Sequence, residues 1–323
     1  MWGRLVTCGG LAIRLLDPAA NPPTRTGSPP HRAGGLPIRR RLTICSTKVS
    51  CLAAALLLCA AVALAQAADA AYSKSPGFAA YQQGASLFGR SKFPESLAEV
   101  DRALTLDPKL VPALTLKAKL AMAINRYDVA RECLERALAV EPSSWYAEFL
   151  YGFQYYQQNE MPRALAALQK ARLLNPRDPR TALYLGLAEE TLGRTAEAVA
   201  FYQDAIRLEE ASGKPHVDPF LSYSRLLFIL GDLDGCGRLI ERALQLDPAS
   251  RDVHFESGRL LLKRGLAADA VTEGEAALRL HTGDVTDRQV HFLLIQAYQA
   301  SGREREAAGH AEAIRAIERQ EQK

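Results

Sequence analysis

The chain has 323 residues, of which 48% are hydrophobic and 24% charged, a composition that excludes a wholly disordered protein. Its formal charge of +4 comes from the first 65 residues, where eight basic residues face a single acid; the remainder carries 32 basic against 35 acidic residues. A body without basic excess has little to neutralise phosphates with, so no nucleic acid is expected as a partner.

In chain order, residues 1–36 are rich in Pro, Gly and Arg and resemble neither a folded domain nor a signal peptide; translation is expected to begin near Leu36. Residues 37–67 follow the plan of a secretory signal peptide. Arg39, Arg40, Arg41 and Lys48 precede an uncharged run from Val49 to Ala68, and small residues permit cleavage after Ala65 or Ala67. The competing reading is an uncleaved membrane anchor, the only membrane contact the sequence suggests. The chain is therefore expected to be exported, as a periplasmic or secreted protein, or anchored facing the periplasm. Residues 68–76 read as a linker.

Four of the six cysteines (Cys8, Cys45, Cys51, Cys59) lie in the leader. Cys133 and Cys236 are too distant in a linear array for a disulfide framework and read as small packed thiols.

From Gly77 onward one period dominates. Gly84, Ala118, Gly152 and Gly186 are 34 residues apart, as are Ser96, Ala130, Ala164 and Ala198, and again Ala103, Ala137, Ala171 and Ala205. Pro108, Pro142 and Pro176 keep the same step, each after Asp, Glu or Asn. After an interruption at Gly213–His216 the pattern resumes with Ser224, Cys236, Ala243 and Pro248. It continues through Gly258, Ala270 and Ala277, and after a short insertion through Tyr298, Gly302 and Ala307. Small residues midway along two antiparallel helices let the backbones approach, and proline ends the second helix of each unit. Gly193, Gly231, Gly265 and Gly302 are expected at the turn inside the later units, where positive φ suits glycine. The alternating charges of Arg303–Lys323 read as a soluble cap.

This pattern resembles the tetratricopeptide repeat (TPR) family over residues 77–321, most fully in the third unit, where Trp145, Tyr151, Gly152, Tyr155, Ala164, Leu168, Ala171 and Pro176 fall on signature positions. The resemblance implies an all-α, right-handed α-solenoid of about seven helix-turn-helix repeats, at residues 77–110, 111–144, 145–178, 179–212, 217–250, 251–284 and 288–321. It also implies an inner surface lined by the first helix of each unit. The candidate partner-binding residues carried onto that surface are Tyr81, Phe88, Lys119, Tyr146, Phe149, Phe153, Tyr156, Arg225 and Arg259, with Phe78, Phe228, Phe255 and Phe292 on the same register. For Phe255 and Phe292, packing between first helices weighs equally. The carboxylate clamp of the chaperone-adaptor branch is not implied, because its positions hold Tyr81, Ala85, Phe149 and Phe153.

No phosphate-binding loop, paired zinc cysteines, His-Glu-x-x-His or Gly-x-Ser-x-Gly occurs in the body, so no catalytic residue, metal or cofactor is expected. His254 and His291 sit at matching helix positions and read as packing. Glu189–Glu190 and Glu209–Glu210 read as solvated helix ends. The expected function is a non-enzymatic scaffold that grips a protein or peptide segment in an aromatic-lined groove within an envelope assembly or secretion complex. The alternative is a polysaccharide-binding component of an export system, and self-association is a further use for the same groove.

Overall fold

A computed structural model describes residues 72–321, and the leader, its cleavage sites and the alternative anchor lie outside them. Among the described residues no helix is long and apolar enough to cross a membrane. There are fourteen α-helices and no strand among them. In order these are α1 (Phe78–Gly89), α2 (Phe93–Leu106), α3 (Val111–Ala123), α4 (Tyr127–Val140), α5 (Trp145–Gln157), α6 (Met161–Leu174) and α7 (Pro179–Thr191). They continue as α8 (Thr195–Ser212), α9 (Asp218–Leu230), α10 (Leu233–Leu246), α11 (Arg251–Lys263), α12 (Ala267–Arg279), α13 (Asp287–Ala300) and α14 (Glu304–Glu321). The chain divides into two compact units at Lys117/Ala118, within α3.

In the smaller unit α1 packs on α2. Gly84 provides the close approach: a Cβ there would come 2.9 Å from the Val100 side chain, and the Ser96 hydroxyl donates 2.8 Å to the Gly84 carbonyl. Phe78 and Tyr81 are ring neighbours, as are Phe88 and Phe93.

In the larger unit the helix pairs α5/α6, α7/α8, α9/α10, α11/α12 and α13/α14 stack side by side as an α-solenoid, with each second helix also touching the next first helix. The same glycine device recurs, since Gly152 faces Leu168 and Gly186 faces Tyr202, each sixteen residues on. Helix starts are written in familiar chemistry. Asp178, Asp232 and Ser250 accept from the third backbone N–H, Thr286 and Gln289 form a reciprocal capping box, and Pro162, Pro179 and Pro219 sit in first turns where no N–H is needed. Second helices end where Asp107, Glu141, Asn175 and Asp247 donate back to an alanine carbonyl just before a proline.

The inner turns need one left-handed residue per pair. Gly193, Gly231, Gly265 and Gly302 supply it in later pairs, but Ser91, Asn125 and Asn159 occupy it earlier with φ of 58°, 58° and 60°. Asparagine tolerates this conformation better than other side chains, and serine less well.

Several buried polar groups were expected at the surface. Glu189 and Glu209 are 5% and 3% exposed rather than solvated helix ends. Arg194 donates to Glu189 at 3.0 Å, and Glu209 accepts from the His216 backbone N–H at 3.0 Å while its ring lies at 3.2 Å. That contact explains the Gly213–His216 interruption: α8 runs on to Ser212, Gly213 turns the chain at φ +74°, and His216 folds back onto α8. Glu209 holds the His216 imidazole above its ordinary pKa, whereas burial pushes Asp218 upward at the start of α9. Cys133 and Cys236 are both buried free thiols.

Candidate functional site

The first helices α5, α7, α9, α11 and α13 share one face of the larger unit, and α5 touches α7, α9 touches α11 and α11 touches α13 directly. The aromatic residues expected to line it are largely consumed in joining α5 to α7. Tyr184 of α7, 1% exposed, lies 5.7, 5.1 and 5.5 Å from the rings of Phe149, Phe153 and Tyr156. The Arg180 guanidinium covers the other end, 5.5 Å from the Tyr146 ring and 5.3 Å from Phe149, while bonded to Asp178. Phe149 and Phe153 are therefore buried rather than available to a partner, because apolar rings on adjacent first helices gain more from each other than from water. Lys119, likewise expected inward, is 2% exposed and not a surface cation. Tyr146 and Tyr156 remain half-buried, as do Tyr81 and Phe88 in the smaller unit.

Beyond this plug the row opens into a cavity of about 530 Å³. Tyr156 of α5 and Leu187, Glu190 and Thr191 of α7 form one side. Ser222 and Arg225 of α9 and Phe255, Glu256 and Arg259 of α11 form the floor and opposite side. Gln289 of α13 and residues Asp284 and Val285 from the preceding loop close the end. Of the nine candidate residues, Tyr156, Arg225 and Arg259 meet here.

The two arginines are not free cations. Glu256, 6% exposed, receives Arg225 Nε on Oε1 at 2.6 Å and Arg259 Nη1 on Oε2 at 2.7 Å. Arg259 also lies 4.8 Å above the Phe228 ring. Glu190 accepts from the Tyr202 hydroxyl, and burial, with that carboxylate adding to it, raises the pKa of Tyr202. Ser222 is 3% exposed, and its Oγ, like the Tyr184 hydroxyl, is buried without a hydrogen-bond partner. The loop residues are pinned from α11: Asp252 accepts the backbone N–H of Asp284 at 3.1 Å and of Val285 at 2.8 Å.

An adjoining recess of about 290 Å³ shares Phe255 and Gln289 and is completed by Arg288, Phe292 and Ile314. Phe292 is 57% exposed, and Arg288 is tied to Glu318 at 2.7 Å. Sequence reasoning missed Glu190, Ser222, Glu256 and Asp284. Their register on first helices could have found the first three; the fourth lies at the last position of the sixth unit, in the loop before α13. Among the described residues no cluster of three or more His, Cys, Asp or Glu could hold a metal ion.

The tetratricopeptide repeat model matches residues 115–172, 154–215 and 225–285, about half of the chain. A TPR repeat-containing protein of Treponema pallidum is 25% identical over 202 residues, 58% of this chain and 25% of that protein. Anaphase-promoting complex subunit 3 of Schizosaccharomyces pombe is 24% identical over 176 residues, covering 54% of this chain and 26% of the relative. The chain thus spans about a quarter of the length of these curated relatives. Among solved structures, the Cut9–Hcn1 hetero-tetramer of the APC/C superposes with a TM-score of 0.61 at 19% identity, covering 70% of this chain and 44% of that one. A thermophilic TPR protein of Thermus thermophilus gives 0.51 at 22% identity, covering 58% of this chain and 99% of the other. With the helix pairs and their small-residue contacts, these matches show that the chain belongs to the tetratricopeptide repeat family.

Proposed function

We propose that this protein is a non-enzymatic interaction scaffold that binds an extended segment of a partner protein along the first-helix row. One observation carries the reading: the five first helices of the larger unit contribute side chains to a single cavity and its adjoining recess. A site assembled from successive repeats suits an occupant that runs across them, and tetratricopeptide repeats in general mediate protein–protein interaction. The leader read from the sequence supports placing this scaffold outside the cytoplasm, in an envelope assembly or secretion complex. The polysaccharide alternative loses much of its support, since Phe149 and Phe153, the rings on which a sugar would stack, are buried against Tyr184.

Site-specific photocrosslinking in living cells tests the reading. A benzophenone side chain at Thr191 or Phe292, on the row, should capture one defined protein that the same group at Gln169, on the exposed side of α6, does not. Equal capture from both faces, or none from the row, would sink it.

A further inference from the structure

We infer that the contact between His291 and His310 makes the adjoining recess acid-labile: a second proton on this pair parts α13 from α14 beside Phe292 and Ile314 and releases the segment bound there. Such release rests on the peptide-binding reading above and adds a regulation to that same site.

Two cross-helix contacts frame the recess. On α14, His310, Ile314 and Glu318 follow one another at four-residue steps and share a face. On α13, His291 and Phe292 stand three and four residues after Arg288, on the face above it. Arg288 meets Glu318 at 2.7 Å and His291 meets His310 at 2.8 Å, and Ile314, midway between His310 and Glu318, lines the recess with Phe292. Phe255 of α11 and Gln289 complete the lining. The recess therefore keeps its shape only while α14 holds its place against α13.

The proton count decides whether it does. Facing Nδ1 atoms can share one hydrogen, one ring donating and the other accepting. A first added proton goes to the outer nitrogen of the donating ring and leaves this contact intact. A second makes both Nδ1 atoms donors, with no lone pair between two like charges. Burial disfavours charge on either ring. The groups around the pair do not remove the conflict. Arg251 of α11 opposes charge on His291, while Asp287 of α13 favours it but is itself bonded to Arg251. Glu275 of α12 favours charge on His310 but already accepts from the Tyr298 hydroxyl. Glu273 of α12 is taken by His254, Glu306 of α14 by Arg303, and Glu318 by Arg288. An apolar side chain seated between Phe292 and Ile314 holds the two helices together, so occupancy and the second proton oppose each other reciprocally.

Displayed random peptides selected against the full chain at about pH 7.5 supply the probe. Those weakened by Phe292→Ala occupy the recess. They should bind the native chain roughly tenfold or more weakly at about pH 5, because uptake of one proton on release weakens binding by up to about tenfold per pH unit. His310→Gln leaves His291 a hydrogen-bonding neighbour that cannot take the second proton, and should abolish most of this pH dependence. His291→Gln, on the other helix, should do the same and stands as the independent variant. Equal weakening in the native chain and both variants, or none in the native chain, overturns the acid release and leaves the peptide-binding reading standing. So does a selection in which no enriched peptide depends on Phe292. Failure to enrich any peptide overturns both.

Discussion

The Nδ1 atoms of His291 and His310 lie 2.8 Å apart across the α13/α14 pair, so at most one of them can carry a proton. Burial holds both imidazoles below their ordinary pKa; Arg251 adds to this at His291, and His291 adds to it at His310. Asp287 and Glu275 pull the other way without reversing it, and the Tyr298 ring stacks on His310. In the unfolded chain these rings take up protons as pH falls through about 6.5, before the folded rings do, so stability is full above that value and declines below it. The protection factors of α14 amides, corrected for the intrinsic pH dependence of exchange, should therefore fall as pH drops from about 7.5 to 5.5, and His310→Gln should remove part of that dependence. His216 has the opposite sign: the Glu209 contact raises its pKa, so its contribution is present below about 6.5 and is lost as pH rises through the raised value. Ring-proton titration should place His216 above that reference and the His291/His310 pair below it; the reverse order would contradict both contacts.

The inner turns offer a backbone test free of packing. Ser91 adopts φ 58°, whereas Gly265 adopts +79° with nothing within 4 Å of a Cβ built on it. Ser91→Gly should raise stability and Gly265→Ala lower it, each by about 1 kcal/mol, read as opposite shifts in denaturant midpoint.

Glycines inside helices divide by their neighbours. A Cβ on Gly186 would stand 2.8 Å from the Tyr202 ring, while one on Gly309 meets nothing within 4 Å. Gly186→Val should cost roughly 3 kcal/mol, and Gly309→Ala should gain about 0.5–1 kcal/mol by helix propensity alone. Thermal melts that moved both variants in the same direction would show the Gly186 contact to be unimportant.

Glu256 sits between two guanidinium groups, and Glu256→Gln removes the charge that holds them together. Since Arg225 and Arg259 retain some solvent contact, the expected loss is about 1–3 kcal/mol rather than that of a fully buried pair. Glu256→Gln/Arg259→Met should recover part of it, measured as a double-mutant cycle.

Burial pushes the Cys236 thiol up to about 11, and Cys133 is buried as well. Peptide mapping after iodoacetamide should find both sites unlabelled in the native chain and labelled once denatured. Rapid native labelling at Cys236 would contradict the packing of α10.

The parts of the fold legible in sequence were those repeated in it. Gly84, Gly152 and Gly186 announced close helix contacts because only small residues permit them, and the prolines announced helix ends. Asn125 and Asn159 hid the left-handed turns, since asparagine is common in many settings. The site was harder to read. A ring at an inward register can face either solvent or the next first helix, and only the position of Tyr184 decides this for Phe149 and Phe153. Glu189 looked like a solvated residue because its partner, Arg194, serves it from the following turn. Tyr156, Arg225 and Arg259 fell within the cavity, but the role of the arginines depends on Glu256, whose burial has no signature in one chain.

The clamp that Asp252 places on residues 284 and 285 bears on how such an array could change over time. Repeat arrays grow and shrink by copying or losing whole units, and whatever is encoded in the unit is copied with it. Part of the end wall of this cavity is not encoded in the unit; Val285 belongs to a short insertion held by a carboxylate from α11, the first helix of the preceding pair. Duplication would therefore yield a longer scaffold carrying one such cavity, and deletion of the last pair would remove Gln289 and open the cavity at that end. The cavity is closed at the second of the two places where the array breaks its own rhythm.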